Sequence, residues 1–150
     1  MDTAYKTTLE LDKVLARAVQ LCACQETKEM MQALEPAPTI EDERYDLAQT
    51  NAINALLIKN GSPRFGSVRE VRRIVAHARK GGILSMGELL EIAATLRNFS
   101  GLSQWYGLSE HEMLPTDDLF FSLAPQPVLE KQISESILSP EEMADTASVT

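Results

Sequence analysis

Lys80-Gly81-Gly82-Ile83-Leu84-Ser85-Met86-Gly87-Glu88-Leu89-Leu90 closes one helix and opens the next within a few residues. Paired glycines after a basic last turn permit the left-handed backbone that ends a helix. Ser85 followed three residues on by Glu88 is a capping box, which satisfies two N-terminal amides reciprocally. The segment marks a helix-to-helix junction, and neither device performs chemistry.

Downstream, Leu89, Leu90, Ile92, Ala93, Leu96, Phe99 and Leu102 repeat at helical spacing, so the junction predicts an amphipathic helix from Ser85 to about Gly101. Upstream, Ser67 is placed to cap a helix whose apolar residues Val68, Val71, Ile74, Val75 and Ala78 fall within about 120° of arc. Its other side carries Arg69, Arg72, Arg73, His77, Arg79 and Lys80. Before the loop Ser62-Pro63-Arg64-Phe65-Gly66, Thr39 with Glu41, Asp42 and Glu43 starts a long helix that ends near Lys59-Asn60-Gly61. Three carboxylates there meet the positive end of the helix dipole, which accounts for the acidic run without chemistry. Leu47, Ala48, Ala52, Ala55, Leu56 and Ile53 are read as its buried face. The first helix lies behind Thr8, with Leu9, Leu11, Val14, Leu15, Ala18, Leu21 and Cys22 on its apolar side, and runs to about Cys24. Met30, Met31 and Leu34 continue the stripe across a bend until Pro36 and Pro38 force an extended link.

After the central helix, Ser103 to Pro115 reads as a loop, and Thr116-Asp117-Asp118 as the start of a short helix through Leu123. Pro127 suits a first helical turn, and Val128, Leu129, Ile133 and Ile137 mark a last helix. Residues 139–150 form an unfinished element. The sum is a bundle of about six helices, with residues 1–146 as one helical core domain. At 150 residues such a domain can bury roughly 70% of the surface its unfolded chain exposes.

Composition narrows the classes further. Hydrophobic residues make up 44% and charged residues 24%, outside the regime of intrinsic disorder. No apolar run approaches the roughly 18 residues of a membrane span, and the N-terminus lacks the order of a signal peptide, so a cytoplasmic address is expected. Cys22 and Cys24 lie about 200° apart on a helix, which rules out their pairing there. Two thiols also fall short of a zinc site, and Cys22 is read as core.

The net charge of −8 is unevenly spread. Residues 64–80 hold six Lys/Arg and one Asp/Glu, a local +5 between acidic flanks. Any nucleic-acid binding by an acidic chain must be local, and this segment is the place for it. Arg69, Arg73 and Lys80 share about 40° of an ideal helix, with Arg72 and Arg79 beside them. One reading is a solvated face that balances acidic neighbours; the other is contact with phosphates. Eight aromatic residues in the whole chain give little support for stacking on single-stranded bases, so the contact would position a backbone.

Catalytic signatures fail residue by residue. The Gly61 to Gly66 spacing of a phosphate loop continues as Ser67-Val68 where Lys and Ser/Thr are required, and Gly82 to Gly87 continues as Glu88. His77 and His111 are the only histidines and stand at no zinc-ligand spacing. The pairs Asp117-Asp118 and Glu141-Glu142 fall at expected helix starts, where capping explains them. Trp105-Tyr106 reads as the plug that closes the helical layer rather than as an exposed anchor.

The opening Lys6-Thr7-Thr8-Leu9-Glu10-Leu11-Asp12-Lys13-Val14-Leu15, the Lys80–Leu90 junction and the closing Asp145-Thr146-Ala147-Ser148 occur in the order and approximate spacing found at the start of bacterial MutS-two proteins. The chain resembles that family of MutS paralogues over essentially its whole length. The resemblance implies an N-terminal helical core without mismatch-reading domains, in keeping with the absence of a Phe-x-Glu triplet, and makes residues 147–150 the first turn of a lever helix. It also implies a parent with a clamp, a dimerising ATPase domain using ATP and magnesium, and commonly a C-terminal Smr endonuclease domain. No catalytic residue of those domains maps here. The parent's implied work is on DNA or ribosomal RNA, in suppression of homologous recombination and rescue of collided ribosomes, with this segment coupling ATPase movements to lever and clamp. The parent is then a homodimer and the segment itself a non-enzymatic piece that is monomeric or weakly associated. The alternative class is a stand-alone helical protein-interaction module.

Overall fold

The structure, a computed structural model, describes residues 10–64, 66, 69–108 and 110–147. Thr8, Leu9, Phe65, Ser67, Val68 and the last three residues of the expected lever turn lie outside them. The described residues form seven helices and one two-stranded sheet, an all-α architecture with a minimal hairpin. They are α1 (Leu11–Leu21), α2 (Gln25–Gln32), α3 (Ile40–Asn60), α4 (Arg72–Arg79), α5 (Met86–Tyr106), α6 (Asp117–Phe121), α7 (Pro127–Ser136), β1 (Ile137–Ser139) and β2 (Glu142–Met143). None of the helices is long and apolar enough to cross a membrane. The chain divides into two compact units, Met1–Thr50 and Asn51–Thr150, with the boundary inside α3.

In the first unit α1 packs on α2. The stripe expected to run through Cys24 breaks at Cys22, where the backbone turns extended, and Cys24 becomes the residue before α2. Both cysteines are free: the Cys22 thiol donates to the Ala18 carbonyl, and Cys24 Sγ lies 3.0 Å from Thr27 Oγ1. Cys22 is half-buried rather than core. At the head of α3, Thr39 Oγ1 accepts the Asp42 amide and donates to the Asp42 carboxylate, fixing the start that the acidic run predicts. The buried face read along α3 holds only in part. Leu56 is buried and Ile53 and Ala52 half-buried, but Leu47 is 53% exposed and Ala48 and Ala55 are exposed. Periodicity marks which face is apolar; it does not supply the neighbour that covers it.

The second unit is organised by α5. Its C-terminal half builds one cluster, in which Trp105, Tyr106 and Leu56 are buried and Ile53, Leu57, Leu114 and Phe120 pack against them. Its N-terminal half builds another, in which Ala93, Ile133 and Ile137 are buried with Met86, Leu89, Leu90 and Ile92 around them. Helix α5 outruns its expected end at Gly101, which is exposed and crowded by nothing, and stops at Gly107. Burying Trp105 and Tyr106 outweighs the roughly 1 kcal/mol preference against a mid-helix glycine.

Helix α7 opens on Pro127 as expected but ends at Ser136. Ile137, read as the last residue of its apolar face, is buried from β1 instead. The unfinished C-terminal element is an antiparallel hairpin with Ile137 opposite Met143 and Ser139 opposite Glu142. Glu141-Glu142 therefore sits at a hairpin turn and strand, not at a helix start.

Candidate nucleic-acid interface

Helix α4 begins at Arg72, five residues after the cap expected at Ser67, and no side chain caps it. Arg69 accordingly precedes the helix and Lys80 follows it, so the shared arc drawn for Arg69, Arg73 and Lys80 on one continuous helix does not apply. Within α4, Ile74 is buried, Val71 just before it is half-buried, and Val75 is 43% exposed. On the helix that is formed, Arg72 and Arg79 lie within about 20° of each other, and Arg73 and His77 share a second edge about 40° wide. All four, with Arg69 and Lys80, are exposed.

The end of α4 follows from the paired glycines. Gly81 adopts φ 81°, its amide donates to the Ala78 carbonyl at 2.9 Å, and the Gly82 amide donates to the His77 carbonyl at 3.1 Å. These two bonds make a Schellman closure. The His77 ring lies across Gly82 so closely that an added Cβ would collide with Nε2. The junction thus fixes His77 as well as the chain direction. Gly82 serves a close approach and Gly81 the left-handed turn.

The capping box of α5 is complete. The Ser85 amide donates to Glu88 Oε2 at 2.8 Å, and the Glu88 amide donates to Ser85 Oγ at 3.3 Å. The Ser85 amide and hydroxyl hold the Glu88 carboxyl below its ordinary value, with smaller help from the charges of His77 and Arg73. Those three side chains line one open pocket of about 320 Å³. Glu88 is therefore a counter-charge inside the basic region, which the sequence reading missed because it accounted for Glu88 only as a cap. Replacing Ser85 by alanine is expected to destabilise the chain by about 1 kcal/mol and to move the Glu88 titration, followed by NMR, only part of the way back toward an ordinary carboxylate, because the hydroxyl is lost while the amide of residue 85 remains. In the unsubstituted chain the lowered value means that Glu88 favours the fold above the ordinary carboxylate range and ceases to do so as pH falls through its folded value. An unmoved Glu88 titration in the variant would show that the Ser85 hydroxyl does not help to hold the carboxylate.

Among the described residues, Arg69, Arg79 and Lys80 form no ion pair, whereas Arg97 is committed to Glu130 at 2.7 Å. The exposed Arg69, Arg79 and Lys80 side chains can meet phosphate oxygens without first breaking an ion pair. The described residues contain no group of three His, Cys, Asp or Glu side chains able to hold a metal.

Past Gly66 the first described helix starts at Arg72, and Gly87 lies within α5 and is followed by Glu88 where a phosphate loop carries lysine.

Trp105-Tyr106 is the plug. Trp105 Nε1 donates to the Gly61 carbonyl at 2.8 Å, and the Tyr106 ring stacks on Phe120 at 3.9 Å between centroids. The Tyr106 hydroxyl donates to Asp117 Oδ1 at 2.8 Å and lies 2.7 Å from Thr116 Oγ1. Asp117 Oδ2 accepts the Leu114 amide as well, so this carboxylate ties α5 to α6. Burial raises the Tyr106 phenol. The sequence offered no sign of this network, because its partners are ten and eleven residues apart in a segment without periodicity.

No family model matches the chain, and no solved structure matches it. Curated relatives do. Endonuclease MutS2 of Ruminiclostridium cellulolyticum is 31% identical over 150 residues, which is 99% of this chain and 19% of that protein. Endonuclease MutS2 of Lachnospira eligens is 29% identical over 148 residues, 99% of this chain and 18% of the relative. For Endonuclease MutS2 of Clostridium beijerinckii the figures are 28% over 144 residues, 95% and 18%. The chain spans about one-fifth of the length of these relatives, and over almost all of its own residues it is similar to proteins named Endonuclease MutS2.

Proposed function

We propose that this chain is a non-catalytic helical segment of a MutS2-type protein and that it contacts the sugar-phosphate backbone of DNA or ribosomal RNA through Arg69, Arg72, Arg73, Arg79 and Lys80. The observation that carries the reading is the near-complete match to a one-fifth portion of proteins named Endonuclease MutS2. The exposed cations around α4 support the contact, since they lie in the one strongly basic stretch of an acidic chain. In the whole protein, ATP and magnesium belong to another domain, the nuclease to a further one, and dimerisation to the ATPase part. This segment couples their movements to lever and clamp while the protein acts on recombination intermediates or collided ribosomes.

Titration of the chain with labelled branched DNA, duplex DNA and structured RNA at two salt concentrations tests the contact. Binding is expected to weaken with salt, with a log–log slope of about −0.9 per duplex phosphate engaged. The fourfold variant Arg69→Glu, Arg73→Glu, Arg79→Glu, Lys80→Glu should remove it, because each exchange replaces attraction by repulsion. Equal affinity of the variant and the parent chain would sink the proposal.

A further inference from the structure

In the first unit no described residue from Glu10 to Thr50 is buried, although Val14, Leu21, Met30, Leu34, Ile40 and Leu47 are all large, apolar and at least half exposed. Part of this surface is gathered into a groove. Leu11 and Leu15 of α1, Leu34 before the proline link and Leu47 of α3 line an open pocket of about 580 Å³. Glu43 and Asp46, one turn apart on α3, stand at its edge, and no Lys or Arg is among its lining residues. The described residues of this unit carry four Lys/Arg against nine Asp/Glu, a net −5.

We propose that this groove docks an amphipathic helix of a protein partner, with leucine-class residues on one face and Lys or Arg beside them. Three observations select that occupant. The apolar residues come from two helices and the link between them, and the unit contains no described strand edge to which an extended peptide could add. The four leucines offer apolar contacts of the kind that anchors at i, i+3/i+4 and i+7 of an amphipathic helix require. The carboxylates favour a cationic rim on the partner and repel an acidic one or a phosphate backbone. The surface is separate in sequence from the basic helix α4, so the two proposals stand or fall independently.

A labelled synthetic helix of leucine and lysine at helical spacing is the probe, titrated into the intact chain by fluorescence anisotropy. Saturable binding is expected, weakened by salt, and absent for the same helix with glutamate in place of lysine. Glu43→Lys with Asp46→Lys, both exposed positions, should weaken binding about tenfold or more. Glu141→Lys with Glu142→Lys makes the same charge change on the hairpin and should leave affinity within about twofold, which separates docking from general attraction to an acidic protein. Equal losses in the two variants, or no saturable binding by the parent chain, would overturn the proposal. So would a probe displaced by self-association of the chain as its concentration rises, because a second copy would then be the occupant.

Discussion

Replacing Trp105 by alanine is expected to lower the unfolding free energy by about 3–5 kcal/mol. The indole is 6% exposed and packs in one cluster with Leu56 and Tyr106, its ring centroid 6.1 Å from that of Phe120. Truncation leaves a cavity between α3, α5 and α6, and it strips the Gly61 carbonyl of its indole donor. The backbone of Trp105 also accepts from Asn60 Nδ2 at 3.1 Å, so displacement would loosen the end of α3 too. Against a typical domain stability of about 5–15 kcal/mol the loss is severe. Because Trp105 is the one tryptophan of the chain, urea unfolding has to be followed by circular dichroism rather than intrinsic tryptophan fluorescence. A loss below about 1 kcal/mol would mean that the plug can be removed without harm. Trp105→Phe separates the causes: it retains much of the ring burial and gives up the hydrogen bond, with a cost nearer 1 kcal/mol.

The second large effect lies at the other end of α5. Ile133→Ala is expected to cost about 2–5 kcal/mol, because Ile133 is buried against Ala93 and Ile137 where α5, α7 and β1 meet. The small Ala93 allows α7 to approach α5, so its neighbours have little freedom to collapse into the space left by the deleted atoms. The Arg97–Glu130 bond beside this contact is largely solvent-exposed on the arginine side and would offset little of the loss. Ile133 and Trp105 belong to separate clusters, so the double variant should equal the sum of the singles within about 0.5 kcal/mol. Strong non-additivity in urea unfolding would show that the two ends of α5 are one packing unit.

The sequence and the structure agree where a local rule is also the physical cause. Gly81, Ser85 and Glu88 act through backbone hydrogen bonds within a few residues, so the α4–α5 junction was legible down to its atoms. Pro127 and Thr39 are legible for the same reason. Agreement fails where the deciding partner is distant in sequence. Gly101 reads as a stop only until Trp105 and Tyr106 find Leu56 and Phe120, and Ile137 keeps helical spacing from Ile133 while reaching the same cluster from a strand. The start of α4 was misplaced because a serine before an apolar residue resembles a cap even when the helix begins later. Of the candidate interface, the clustering of positive charge was visible in the composition of residues 64–80. The carboxylate of Glu88 beside Arg73 and His77 was not, since it requires the chain to reverse across the glycines.

Helix α5, 21 residues and thus about 30 Å long, serves two packing clusters that share no buried residue. Its amides should therefore not exchange with solvent hydrogen as one block. Those near Ala93 are protected only while α7 and β1 stay docked, and those near Trp105 only while α3 and α6 do. Either end can open while the other remains closed, with the middle of the helix as the seam, so a force or ligand that loosens one end leaves the other as a template for closing it again.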